Sequence, residues 1–170
     1  MAFNAAIIEV RAKDIDAAQA SLQQAREVMD QFQLNFLGIQ VHIVEAIISG
    51  AQHDYAAMAD HCMKAIEKTN QSVVASGSQI GLSQIYAQMA KAQTLLGDLS
   101  KAEKSIETGF RLDPSEPMLW VKKARLQQAR KMPQMALASV NYALPIWKDA
   151  DENYVMLKKA QALAAELQSQ

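Results

Sequence analysis

Three sets of residues in this chain have the types that chemistry needs. His53, His61 and Cys62 fall within ten residues of one another, and imidazole with thiolate is a familiar donor mixture for zinc. On one helix, however, Cys62 takes a core-facing position while His61 points roughly 100° away, and His53 falls in a turn. No Cys-x-x-Cys or His-Glu-x-x-His spacing occurs. Cys62 reads as a buried thiol whose neighbours on the same face, Met58, Ala65 and Ile66, supply no positive charge to favour thiolate. No metal and no cofactor is expected.

The second set is nucleophilic. Gly81-Leu82-Ser83-Gln84-Ile85 lacks the second glycine of a nucleophile elbow, and six scattered glycines cannot build a phosphate-cradling loop. The carboxylates are dispersed over helix faces, so no acid and base pair stands out. No catalytic residue is expected, and the chain reads as a non-enzyme. The third set is a ladder of cations: the step from Lys91 to Arg125 equals the step from Arg125 to Lys159, and each follows an aromatic, Tyr86, Trp120 and Tyr154, at the same short offset. Charges of this kind are most often a solvated surface; their register is what sets these apart.

The elements that position the ladder repeat as well. Gly97-Asp98 opens a segment in which Ala102, Ile106 and Gly109 recur at helical spacing before Asp113-Pro114 closes it. The same frame starts at Lys13-Asp14 (Ala18, Leu22, Ala25), at His53-Asp54 (Met58, Cys62, Ala65) and at Lys131-Met132 (Ala136, Val140, Ala143). The interval from Gly97 to Lys131 equals the step of the ladder, and the two intervals before it are longer. Ala90 and Ala124 each follow their aromatic by one helical turn.

On these residues the chain resembles the tetratricopeptide repeat (TPR) family, whose unit is a helix-turn-helix of about 34 residues with an aromatic and small residues in its first helix. Asp98, Ala102, Gly109, Pro114, Trp120, Ala124, Ala136 and Ala143 fit the pattern. Lys123, Gln127 and Lys148 depart from it, where Leu, Tyr and Pro are usual, and the first two units carry Ala2 and His42 at the aromatic site. The resemblance implies an all-α fold of antiparallel helix-turn-helix repeats stacked in a right-handed superhelical solenoid over residues 1–170. Residues 1–70 would form longer, degenerate repeats, 71–82 a candidate hinge, 83–150 two regular repeats and 151–170 a capping helix. It also places Lys91, Arg125 and Lys159 on the first-helix face that lines the concave groove. Ile47 stands at the same site upstream, with Ile43 beside it, so the groove would be apolar at one end and basic at the other.

Composition agrees. Ala, Gln, Leu and Met are abundant while Gly and Pro are few, which favours helix. The nine methionines are expected chiefly as core fillers rather than as an adaptable binding surface. A net charge of −1 conceals an asymmetry: residues 1–82 hold 5 basic and 9 acidic side chains (−4), residues 83–170 hold 12 and 9 (+3). A pI near 6.3 and few aromatics argue against nucleic acid as the partner. One cysteine, no basic-then-apolar leader and no long apolar run place the expectation in the cytoplasm, away from any membrane. Counted back by the repeat frame, the first helix pair would begin before residue 1, so the expectation is that an adjacent domain or a homo-oligomer covers that end, or that the sequence is a piece of a longer protein.

The functional expectation is a protein-protein interaction scaffold or adaptor that binds a partner segment, acidic in character, through Lys91, Arg125, Lys159, Ile43 and Ile47. The alternative is a peptide- or ligand-sensing regulatory domain of a larger protein. Ala87, Gln88 and Met118 occupy sites where carboxylate-clamping TPR proteins carry Lys, Asn or Arg, which speaks against that particular activity.

Overall fold

The computed structural model describes residues 2–71, 80–151 and 154–169. Among them the chain is all-α, with no strand. The helices are α1 (Ala2–Arg11), α2 (Ile15–Phe32), α3 (Gly38–Ala51), α4 (Tyr55–Gln71), α5 (Ile80–Leu95), α6 (Leu99–Leu112), α7 (Pro117–Ala129), α8 (Pro133–Ala143) and α9 (Val155–Gln168); short 3-10 turns occupy Asn35–Leu37 and Leu144–Trp147. No helix among the described residues is long and apolar enough to cross a membrane. Residues 72–79, most of the expected hinge, lie outside the described residues, as does Glu152.

Four turns repeat one device. Lys13, His53, Gly97 and Lys131 all have left-handed backbones, with φ of 66°, 62°, 82° and 59°. The amide of the next residue donates back to a carbonyl five residues earlier: Asp14 to Glu9 (3.0 Å), Asp54 to Ser49 (2.9 Å), Asp98 to Gln93 (2.9 Å) and Met132 to Gln127 (2.9 Å). That closure satisfies carbonyls that a helix end leaves without partners, and it needs a left-handed residue at its centre. Only position 97 has the glycine that takes this conformation without strain; elsewhere a side chain is carried at a cost of about 1 kcal/mol. Asp14 and Asp54 then start the following helix, their Oδ1 atoms accepting from the amides of Ala17 (3.0 Å) and Ala57 (2.9 Å).

The chain divides into two compact units, Met1–Ser78 and Gln79–Gln170. In the first, α1 pairs with α2 and α3 with α4, and α1 and α2 also pack on α3. Ala6, Ala18, Leu22, Val41, Val44 and Ile48 form its core. Helix α3 does not stop at Gly50, as the glycine suggests, but runs one residue further and closes on the His53 turn.

In the second unit α5 pairs with α6 and α7 with α8, α7 packs on both α5 and α6, and α9 packs on α8. A polar contact recurs inside each pair. Ser105 Oγ donates to Gln93 Oε1 (2.7 Å), and at the same sites of the next pair Ser139 Oγ donates to Gln127 Oε1 (2.6 Å). Gln127, which departs from the family pattern, is thus buried with its carbonyl satisfied. Pro145 ends α8 as its missing N–H requires, and the chain tightens into a 3-10 turn that buries Trp147.

Methionine use is divided. Met58 and Met89 are buried, whereas Met63, Met132 and Met135 are exposed. Cys62 is buried, 1 % exposed, beside Met58 and Ala65. Tyr154, in register with Tyr86 and Trp120, is 42 % exposed, and Leu163 fills the core beside Ala160 and Ala164.

Candidate functional site

The first helices of the second unit's repeats, α5, α7 and α9, carry Lys91, Arg125 and Lys159 respectively. Lys91 is partly buried; Arg125 and Lys159 are exposed. The structure gathers them about a fourth cation, Lys122, one turn before Arg125 on α7. Part of Lys122 reaches solvent, yet surrounding protein desolvates its ammonium, and Lys91, Lys159 and Arg125 all act on it. Desolvation first, and then those three charges, push its pKa down from 10.5 to about 7.

Lys122 was not legible as a site residue because it does not recur in register with the repeat. Gln88 and Met156 occupy the corresponding positions. The available signal was its place one helical turn from Arg125, on the same face.

A carboxylate of α9 is tied to this face. Glu166 of α9 accepts from Arg125 Nη1 (3.1 Å) and from Gln128 Nε2 (2.6 Å), while Arg125 Nη1 also donates to Gln128 Oε1 (2.8 Å). The amide of Gln128 and then the guanidinium of Arg125 hold the Glu166 carboxyl below its usual range. Arg125, the middle member of the ladder, is therefore already paired with a carboxylate of its own unit.

The helices that carry the ladder are fixed by contacts elsewhere. Glu116 is buried at the start of α7, where it accepts from the amide of Met118 (3.0 Å) and from Gln84 Nε2 of α5 (3.1 Å). At the other end Arg130 forks onto both oxygens of Glu103 on α6, at 2.8 Å each, and this pairing lowers the Glu103 pKa. Trp120 lies between the rings of Phe110 (4.6 Å) and Tyr142 (4.8 Å). Lys123, out of place in the family pattern, sets its ammonium 5.0 Å from the Trp120 ring centre and 5.9 Å from that of Phe110.

Ile43 and Ile47 belong to α3 in the first unit, and both are partly buried. His53, Cys62 and His61 are not brought together as a donor set: His53 sits in its left-handed turn with Nδ1 2.8 Å from the Tyr55 hydroxyl, and Cys62 lies in the core. His61 faces His42 instead. Compared with known proteins, the chain matches no protein-family model and no curated protein sequence.

Proposed function

We propose that this chain is a helical-repeat scaffold of the tetratricopeptide type, which holds an extended acidic segment of another protein against the basic face of its second unit. The observation that carries this reading is the placement of Lys91, Arg125 and Lys159 at one fixed interval on three successive first helices, α5, α7 and α9. An acidic chain laid across those helices meets one cation per repeat, and its carboxylates relieve the mutual repulsion that the free protein carries. The role is binding rather than catalysis, and the buried single cysteine suits a reducing, cytoplasmic setting.

Exposed ion pairs contribute roughly 0.2–1 kcal/mol each, so the ladder sets orientation and association rate more than affinity. A labelled oligoglutamate peptide titrated with the full chain tests this. Binding should weaken with added salt, and combining Lys91→Glu, Arg125→Glu and Lys159→Glu should weaken it about tenfold while helicity is retained. Equal binding by the triple variant at low ionic strength would exclude this face as the site.

A further inference from the structure

In the first unit a second cluster gathers around one carboxylate. Glu45 and His42 lie one turn apart on α3, and His61 comes from α4, the helix packed against it. Glu45 Oε2 is 2.7 Å from His42 Nδ1 and 2.9 Å from His61 Nδ1, so two imidazole nitrogens lie close to the same oxygen. The rings lie nearly parallel, 26° apart with centres separated by 6.0 Å. All three side chains are largely shielded, at 19 %, 14 % and 22 % exposure for His42, Glu45 and His61.

Hydrogen bonding alone does not account for this arrangement. His61 Nδ1 is buried and, despite its short distance to Glu45, makes no properly directed hydrogen bond. A ring nitrogen held close to a carboxylate but out of line with it has its lone pair directed elsewhere. Arg26 pairs with the other oxygen, Oε1, which fixes the carboxylate and leaves Oε2 for the histidines. A cleft of about 270 Å³ opens beside the cluster, with Gln19, Gln23, Ser49 and Gln52 in its wall as well as Arg26, Glu45 and His61. Water filling that cleft could complete a coordination sphere.

We propose that His42, Glu45 and His61 form a binding site for a divalent cation of the zinc class, with two imidazole nitrogens and one carboxylate oxygen as protein ligands and the cleft side left to water. The donor atoms already lie within 4.8 Å of one another. A tetrahedral zinc with bonds near 2.0–2.1 Å places its ligand atoms about 3.3 Å apart, so adjustments of roughly 0.5 Å in the two nitrogen-oxygen spacings and about 1.5 Å or less between the nitrogens would seat it. Side-chain rotation supplies movements of that size. Arg26 then acts as the partner that orients the carboxylate ligand, a role on which metal affinity commonly depends.

Zinc titrated into the full chain against a chromophoric chelator tests the site. One equivalent should bind per chain, and His42→Ala, Glu45→Gln and His61→Ala should each weaken binding by about tenfold or more, while His53→Ala leaves it unchanged. In the unaltered protein, zinc should shift the imidazole NMR resonances of His42 and His61 but not that of His53, a readout that does not depend on any variant folding. Absence of one-equivalent binding, ligand variants that bind as tightly as the unaltered chain, or a zinc-induced shift at His53 with none at His42 and His61 would each overturn the proposal.

Discussion

Lys122→Met is expected to stabilise the second unit at pH 6–7 and to lose that advantage as the pH rises toward 10. The ammonium of Lys122 is penalised in the folded unit by desolvation and by Lys91, Lys159 and Arg125, and its pKa falls from 10.5 to about 7. Between those values the unfolded chain holds a proton that the folded chain has released, so unfolding becomes harder as pH rises through this window. Below pH 7 lysine is charged in both states, and the full penalty is present. The fall corresponds to a ceiling of about 5 kcal/mol at ~1.4 kcal/mol per pH unit, and screening along the solvent-reaching part of the side chain leaves about 1–3 kcal/mol. Both tryptophans, Trp120 and Trp147, lie in this unit. Urea unfolding followed by their fluorescence at pH 6, 8 and 10 therefore reads the effect directly. A difference between variant and unaltered chain that does not change with pH would contradict it.

The largest loss of stability is expected from Leu119→Ala. Leu119 is fully buried, and its branched end fills the space that Gly109 of α6 leaves open. A methyl group at position 109 would come within 2.6 Å of Leu119 Cδ2 and 2.9 Å of Cδ1. Emptying the leucine site should cost about 2–5 kcal/mol through lost burial and an unfilled cavity. Gly109→Ala alone should also destabilise, because overpacking of about 1–3 kcal/mol outweighs a helix-propensity gain near 1 kcal/mol. The two changes together should be milder than their sum by about 1 kcal/mol or more, since the alanine methyl then occupies the vacated space. Strict additivity in urea unfolding would mean that Gly109 and Leu119 do not share one packing site.

These cases show which features the sequence exposes. The turns at 13, 53, 97 and 131 were legible because an aspartate after three of them, and small residues at helical spacing after all four, recur in frame. The left-handed backbones of Lys13, His53 and Lys131 were not, since a residue type that tolerates many conformations gives no sign of the one imposed on it by helix closure. Gly50 lies inside α3 rather than at its end, because glycine permits a helix end without requiring one. Tyr154 followed the aromatic register but sits at the cap before α9, where no preceding turn of that helix holds it inward.

The cation ladder was legible because its members recur at one fixed interval, whereas Lys122 is unique to its repeat and acquires its character only from three-dimensional neighbours. His42 and Glu45 share a face of α3, but His61 joins them only through the packing of α3 on α4, and no local spacing encodes that meeting. Proximity in sequence groups His61 with Cys62, whose core-facing position marks it as a buried thiol, and the core holds it.

Proton uptake on binding tests the basic face most directly. At pH 8 a lysine with a pKa of about 7 is mostly neutral; an acidic segment bound beside it should restore its charge, with uptake approaching ~0.9 proton per complex. Calorimetric titration of the full chain with the oligoglutamate peptide, in two buffers of different ionisation enthalpy, measures that number. Uptake near one proton, absent in Lys122→Met, is the expected result. Binding without proton uptake, or with the same uptake in Lys122→Met, would contradict the assignment of the acidic partner to the face formed by Lys91, Lys122, Arg125 and Lys159.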